Sequence, residues 1–310
     1  MKSPAALLLK PGFTALLAIA CIVLPACQAT TEAQAWKWSE PAFAGIPDAG
    51  KLAELSGLTR SNSHDGVFWA INDGGNPTEL IAINAKAETL AVISVAGIGN
   101  TDWEDITSYS ADGRNYLAIA DTGDNGGLRK ELFIHVLEEP ETLQTAEIKP
   151  LRSLRFVWKD GARDSEALFA SGQHRQFYLI SKKRVPAELY ELPFDAVDGS
   201  SPVLITRLQG IAQPDAKTMN GKGDYGRYRA QITGADLSPD GRLFAVLNYQ
   251  QVYFYILPDQ PVPDINPVAS LTLPWLPQAE GIAFSQDGNS LFVGSEQAPT
   301  PVIRFNRTDR

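Results

Sequence analysis

Apolar and polar residues alternate along this chain in short runs that stop at Gly, Pro, Asp and Asn. A two-residue period marks half-buried β-strands, and no long stretch keeps the helical period. The runs recur as one phrase in five copies. Ser56-Gly57-Leu58 leads to Ala70-Ile71-Asn72-Asp73, and Glu104-Asp105-Ile106 leads to Ala118-Ile119-Ala120-Asp121. Glu166-Ala167-Leu168 leads to Leu179-Ile180-Ser181-Lys182, and Thr233-Gly234-Ala235 to Ala245-Val246-Leu247-Asn248. Glu280-Gly281-Ile282 leads to Val293-Gly294-Ser295-Glu296. A repeat of roughly 50–65 residues cannot bury its own faces, so the copies must pack on one another in one closed domain.

Each copy predicts four strands, from innermost to outermost. The first holds Gly57–Arg60, Val67–Asn72, Glu79–Asn84 and Thr89–Ala96; the second holds Asp105–Tyr109, Tyr116–Ala120, Glu131–Leu137 and Arg152–Trp158. The third holds Ala167–Ala170, Phe177–Ser181, Glu188–Leu192 and Pro202–Leu208; the fourth holds Gly234–Leu237, Leu243–Leu247, Gln251–Leu257 and Val268–Leu273. The fifth has only Gly281–Phe284, Leu291–Ser295 and Val302–Asn306, and Trp36–Phe43 is expected to supply its missing strand. The pattern predicts an all-β, five-bladed β-propeller of four-stranded blades, closed by pairing the N- and C-terminal strands. Asp65-Gly66, Asp112-Gly113, Asp240-Gly241 and Asp287-Gly288 stand where tight turns between the first two strands are needed. The longer second and third intervals leave a six-bladed ring as the alternative. Residues 212–230 fit no strand and read as a loop insertion.

Charge narrows the partners. The 310-residue chain carries a net charge of −9, which excludes the basic stripe of a nucleic-acid partner and disfavours an anionic lipid surface. The N-terminus reads as a targeting segment. Lys2 and Lys10 precede the apolar run Thr14–Leu24, which is short for a membrane span. Leu24-Pro25-Ala26-Cys27 reads as a lipobox, with residues 1–26 a signal peptide and Cys27 the lipidated first residue of the mature chain. Ala26-Cys27-Gln28-Ala29 read as an ordinary cleavage site gives a secreted or periplasmic protein instead. Residues 27–35 form a polar tether and 36–310 the propeller. Gln28 after the cysteine resembles the sorting signal for the outer membrane. The chain is expected to be a monomer that meets the membrane only through its lipid. Removing residues 1–26 takes away Cys21, which leaves no intrachain disulfide.

Antiparallel pairing puts the start of the first strand and the end of the second on one face of the disc. The repeat then makes two rings: Ser56, Glu104, Glu166, Thr233 and Glu280, and Asp73, Asp121, Lys182, Asn248 and Glu296. Asp102 and Asp164 lie two residues upstream of Glu104 and Glu166. Crowded carboxylates repel unless a cation, a base or a shared proton relieves them. A hard divalent cation suits such oxygens, Ca²⁺ first and Mg²⁺ second. Glu104, Glu280 and Asp121 are the candidate metal ligands and Glu166 the candidate catalytic base. Asp73, Lys182, Asn248 and Glu296 are candidate ligand-binding residues. His64, His135 and His174 map elsewhere and are expected to pack or face solvent, which argues against zinc. The rival reading gives the rings a structural role, bonding the backbone of neighbouring blades. Arg129, Lys130, Lys159, Arg163, Lys183, Arg184, Lys217, Lys222, Arg227 and Arg229 form a basic rim that would suit a small anionic substrate. Asp121-Thr122-Gly123-Asp124-Asn125-Gly126 only partly imitates a calcium loop.

The phrases Glu54-Leu55-Ser56-Gly57-Leu58-Thr59, Trp103-Glu104-Asp105-Ile106, Asp121-Thr122-Gly123-Asp124-Asn125 and Glu280-Gly281-Ile282-Ala283-Phe284-Ser285 resemble those of secreted phytase-like propellers. They also resemble calcium-dependent propeller esterases and lactonases. The resemblance implies a divalent cation on the axis and hydrolysis of a phosphoester or lactone, with Glu104, Glu166, Glu280, Asp121 and Asn248 as ring positions. Lys182 stands where that pattern expects an acid or amide. Against an enzyme stands a non-catalytic scaffold that binds a protein or glycan of the cell envelope, since a propeller alone fixes no function.

Overall fold

In a computed structural model the chain divides into two units, Met1–Gln34 and Ala35–Arg310. The structure describes residues 36–220 and 226–309 of the larger unit. Residues 2–35, which take in the expected signal peptide, Cys27 and tether, and Lys222 of the insertion lie outside the described residues.

The larger unit is a five-bladed β-propeller. Its inner strands are Leu55–Arg60, Trp103–Ala111, Ala167–Ser171, Ile232–Leu237 and Ala279–Phe284. Each contacts the inner strand of the blades before and after it, so the ring closes. Second strands run Val67–Asn72, Arg114–Asp121, Gln176–Ile180, Leu243–Asn248 and Ser290–Ser295. Five hydrophobic clusters fill the five junctions between blades. A strand between two such clusters is covered on both faces, which is why all five second strands end in an unbroken buried run of four or more residues. Trp69, Trp103, Phe169 and Phe244 are fully buried there, each contributing roughly 1.5–3 kcal/mol or more by leaving water.

The blade count settles at five, and the long intervals have another use. Glu147–Ile148 adds in parallel to the outer edge of blade one, and Asp264–Ile265 does the same on blade three. The closing strand is Ala42–Gly45, paired with Val302–Asn306, rather than Trp36–Phe43. Trp36 and Trp38 instead pack on blades four and five. Trp38 stacks on Phe254 at 5.6 Å, and the Arg307 guanidinium sits 4.1 Å over Trp36. The expected turns form. Asp112 and Gly113 both have positive φ between the paired Ala111 and Arg114, the signature of a two-residue hairpin. In the divergent third blade Arg175 takes the positive φ. The insertion holds two short helices, Ala216–Asn220 and Gly226–Tyr228.

Candidate functional site

Four inner strands carry a β-bulge at their first turn of pairing. Leu55 and Gly57 pair with Asn72 and Ile71, which leaves Ser56 as the extra residue. Glu104, Thr233 and Glu280 are the extra residues of blades two, four and five. In blade three Glu166 immediately precedes its strand. A bulge re-aims a side chain that regular pleating would turn away. All five ring residues are buried, none more than 8% exposed.

Glu104 is the hub. Oxygens of Asp73, Asp102 and Glu104 lie within 4.8 Å of one another, and so do those of Glu104, Asp164 and Glu166. Gly123 makes room for this packing, because a Cβ there would fall 2.1 Å from Glu104 Oε1 and 2.3 Å from Asp102 Oδ2. Burial, then Asp102 and Asp73, push the Glu104 carboxyl well above the ordinary range. Burial and Asp73 push Asp102 up to about 6. Burial also raises Asp73. Lys182 is the internal counter-charge. Its Nζ contacts Glu166 Oε1, and its field lowers Asp73, Glu104, Glu280 and Glu296 against these upward pressures.

The remaining ring residues have other partners. Arg129 Nη2 holds Asp121 Oδ1 at 2.7 Å, the Asp102 N–H donates to the same oxygen at 3.2 Å, and His135 Nε2 lies 3.7 Å from Oδ2. Burial pushes Asp121 up, but His135 and Arg129 outweigh it and hold the carboxyl below its ordinary range. His135, expected only to pack, thus reaches a ring residue while stacking on Phe133. Glu280 accepts from Tyr249 Oη at 3.3 Å and from Gln278 Nε2 at 3.4 Å; Gln278 also binds Glu296. Burial, then Glu296, push Glu280 well up, and burial raises Glu296. Asp121 and Glu280 therefore fall outside both three-carboxylate groups. Asn248 Oδ1 accepts the Gln250 and Gln251 N–H groups and lines a cavity of about 290 Å³ with Asp215 and Arg229 of the insertion. Thr233 Oγ1 donates to Ala279 O. Ser56 Oγ is buried with no hydrogen-bond partner among the described residues.

Part of the basic rim is engaged in ties. Lys183 Nζ binds Asp164 Oδ2 at 2.7 Å and two oxygens of Asn125. Arg163 is buried between Asp160, Glu188, Trp158 and Tyr190. Asp124 Oδ1 accepts the Leu128 and Arg129 N–H groups, so it shapes the loop that looked like a calcium site.

Sequence reasoning missed Asp105 and Asp236. Asp105 is fully buried and accepts from Ile106 N at 2.8 Å, Leu168 N at 2.8 Å and Ala235 N at 3.3 Å. It ties three blades together below the acidic ring. The signal was present: Asp105 is the one charged residue at a level where the other four blades carry Gly57, Ala167, Gly234 and Gly281.

Chemically, the Glu104 hub offers only hard oxygen donors. Two oxygens bound to Ca²⁺ at 2.3–2.6 Å can be up to about 5 Å apart, so the donor spacing fits that ion. No family model matches the chain, and no curated protein matches it either.

Proposed function

We propose that the acidic end of the axis is a divalent-cation site in a lipid-anchored propeller of the bacterial cell envelope. Glu104 would be its central ligand, with Asp102, Asp73, Asp164 and Glu166 completing two adjoining half-sites. Ca²⁺ is the first candidate and Mg²⁺ the second. The single observation that carries this reading is the sharing of Glu104 between two groups of carboxylates, all of them within ligand spacing. Carboxyls held above their ordinary range are what an oxygen cage looks like before its counter-charge arrives. Arg129 would act from behind, fixing Asp121 so that the Asp102 backbone stays in place.

The finer reading is hydrolysis of a small anionic ester, a phosphoester or a lactone. A bound divalent cation would polarise the ester and lower the pKa of its water. Glu166 would take the proton from that water, and Lys182 beside it would stabilise the carboxylate between turnovers. Elemental analysis of the purified chain, followed by phosphoester and lactone screens with and without chelator, tests this. Retained Ca²⁺ and a chelator-sensitive activity lost in Glu166→Gln support it. A metal-free chain that turns over neither class overturns it.

A second reading rests on Lys182. Its ammonium already sits against Glu166, so the rings could be neutralised from within, in a scaffold that binds an envelope protein or glycan. A partner captured by the wild-type chain and lost on deleting residues 212–230, with no bound metal, would favour that reading.

A further inference from the structure

The axis has a second concavity at its other end. It is a cavity of about 240 Å³, lined from all five inner strands and the turns that follow them, by Asn62, Ser108, Ser171, Ser238 and Gln286 among others. Arg60 also lines it, with a side chain only 10% exposed. Arg60 Nη1 donates to Asp236 Oδ1 at 3.4 Å, to Oδ2 at 3.3 Å and to Leu237 O at 2.9 Å. Among the described residues its hydrogen bonds all leave from that one nitrogen.

The buried side chains of this cup keep donors in reserve. Ser108 Oγ accepts from Thr59 Oγ1 at 3.2 Å, and Thr59 Oγ1 is itself taken by the Ser108 N–H at 3.0 Å. The Ser108 hydroxyl hydrogen therefore remains to be donated. Ser171 Oγ accepts the His174 N–H at 3.2 Å and keeps its hydrogen as well. The buried carboxylate beside Arg60 is fully used. Asp236 receives Arg60 and the Leu237 and Phe284 N–H groups. Asp240 Oδ1 receives Ser238 Oγ and the Arg242 N–H. A guanidinium edge and two hydroxyl hydrogens are thus left on buried residues of the lining, whereas Asp240, the acid of that lining, is exposed to solvent. Planar carboxylates match a guanidinium edge, and a cavity under the usual ligand-pocket size admits only a small molecule.

We propose that this far-face cup binds a small carboxylate-bearing ligand through Arg60, Ser108 and Ser171. The site is independent of the acidic ring at the other end of the axis.

Calorimetric titration of the full chain with malonate tests it, at constant ionic strength and with chelator present. The expected result is saturable one-site binding, weakened ~10-fold or more in Arg60→Gln, a change of one decade in Kd. The double variant Ser108→Ala/Ser171→Ala keeps the Arg60–Asp236 pair and should weaken binding several-fold, with a melting temperature lowered only by the acceptors that Thr59 Oγ1 and the His174 N–H lose. It carries the test if Arg60→Gln fails to fold. Glu104→Gln should leave malonate binding unchanged. Absence of saturable binding overturns the proposal. So does binding that survives the double serine variant, or binding that Glu104→Gln abolishes, which would place the anion at the acidic end.

Discussion

The two ends of the propeller axis are built from the same five strands and balance charge in opposite ways. At the far end one buried acid, Asp236, meets one buried base, Arg60, and each also bonds backbone groups. At the near end Asp73, Asp102, Glu104, Asp164, Glu166, Glu280 and Glu296 meet Lys182, with Lys183 and Arg129 at the edges. Burial raises Asp236 to about 6, so even the matched end feels its desolvation. The mismatched end adds mutual repulsion on top. A matched pair stabilises only when whole, whereas a surplus of acid costs stability until something positive arrives. The first arrangement is complete within the fold, and the second is the one that the proposed cation would relieve.

Variants at the two ends should therefore differ in sign. The largest effect is expected at the matched end. Arg60→Leu leaves Asp236 buried without its partner and should cost about 3–5 kcal/mol in urea denaturation. A loss within error of zero would show that the pair is not a unit. Asp105→Ala comes next. It strips the acceptor from three buried N–H groups in blades two, three and four, and about 3 kcal/mol should be lost at roughly 1 kcal/mol per unmet group.

The acidic end should respond the other way. A carboxyl raised in the folded state binds its proton more tightly there than in the unfolded chain. Its contribution is full below the unfolded value and is lost as pH rises through the folded one. Metal-free stability should thus fall from the ordinary carboxylate range, near pH 4, through about 6 where Asp102 titrates, and Glu104 and Glu280, raised in the same direction, add to the fall. Denaturation at a series of pH values, in chelator, checks this; stability that climbs with pH over that window would contradict it. The smallest effect is Glu104→Gln, which removes a repelled charge and should raise metal-free stability by about 1 kcal/mol. A loss of similar size would mean that Glu104 already has its counter-charge in Lys182.

Much of this contrast was legible in the residues. The blades were readable because each strand is buried between two neighbours, which forces a regular apolar pattern. The two rings followed from the repeat, since equivalent positions in equivalent blades must share a level. Other features had no positional signal. Trp36 and Trp38 look like strand residues, yet they lie on Phe254 and Phe284, and the pairing strand starts at Ala42. The bulges add one residue to four inner strands, and a two-residue period cannot show that Glu104 and Asp105 are both turned inward. The reach of long side chains is equally hidden. Nothing in the spacing says that Arg129 takes Asp121 out of the cage, or that Asp102 and Asp164 join Glu104 in its place.

A thermal melt of the chain after chelation, with Ca²⁺ and then Mg²⁺ titrated back, tests the central claim most directly. The account predicts a saturable rise in melting temperature with Ca²⁺, a smaller one with Mg²⁺, and neither in Glu104→Gln. A melting temperature that ignores both ions, in a wild-type chain that carries no metal, would contradict it and leave Lys182 as the cation of the site.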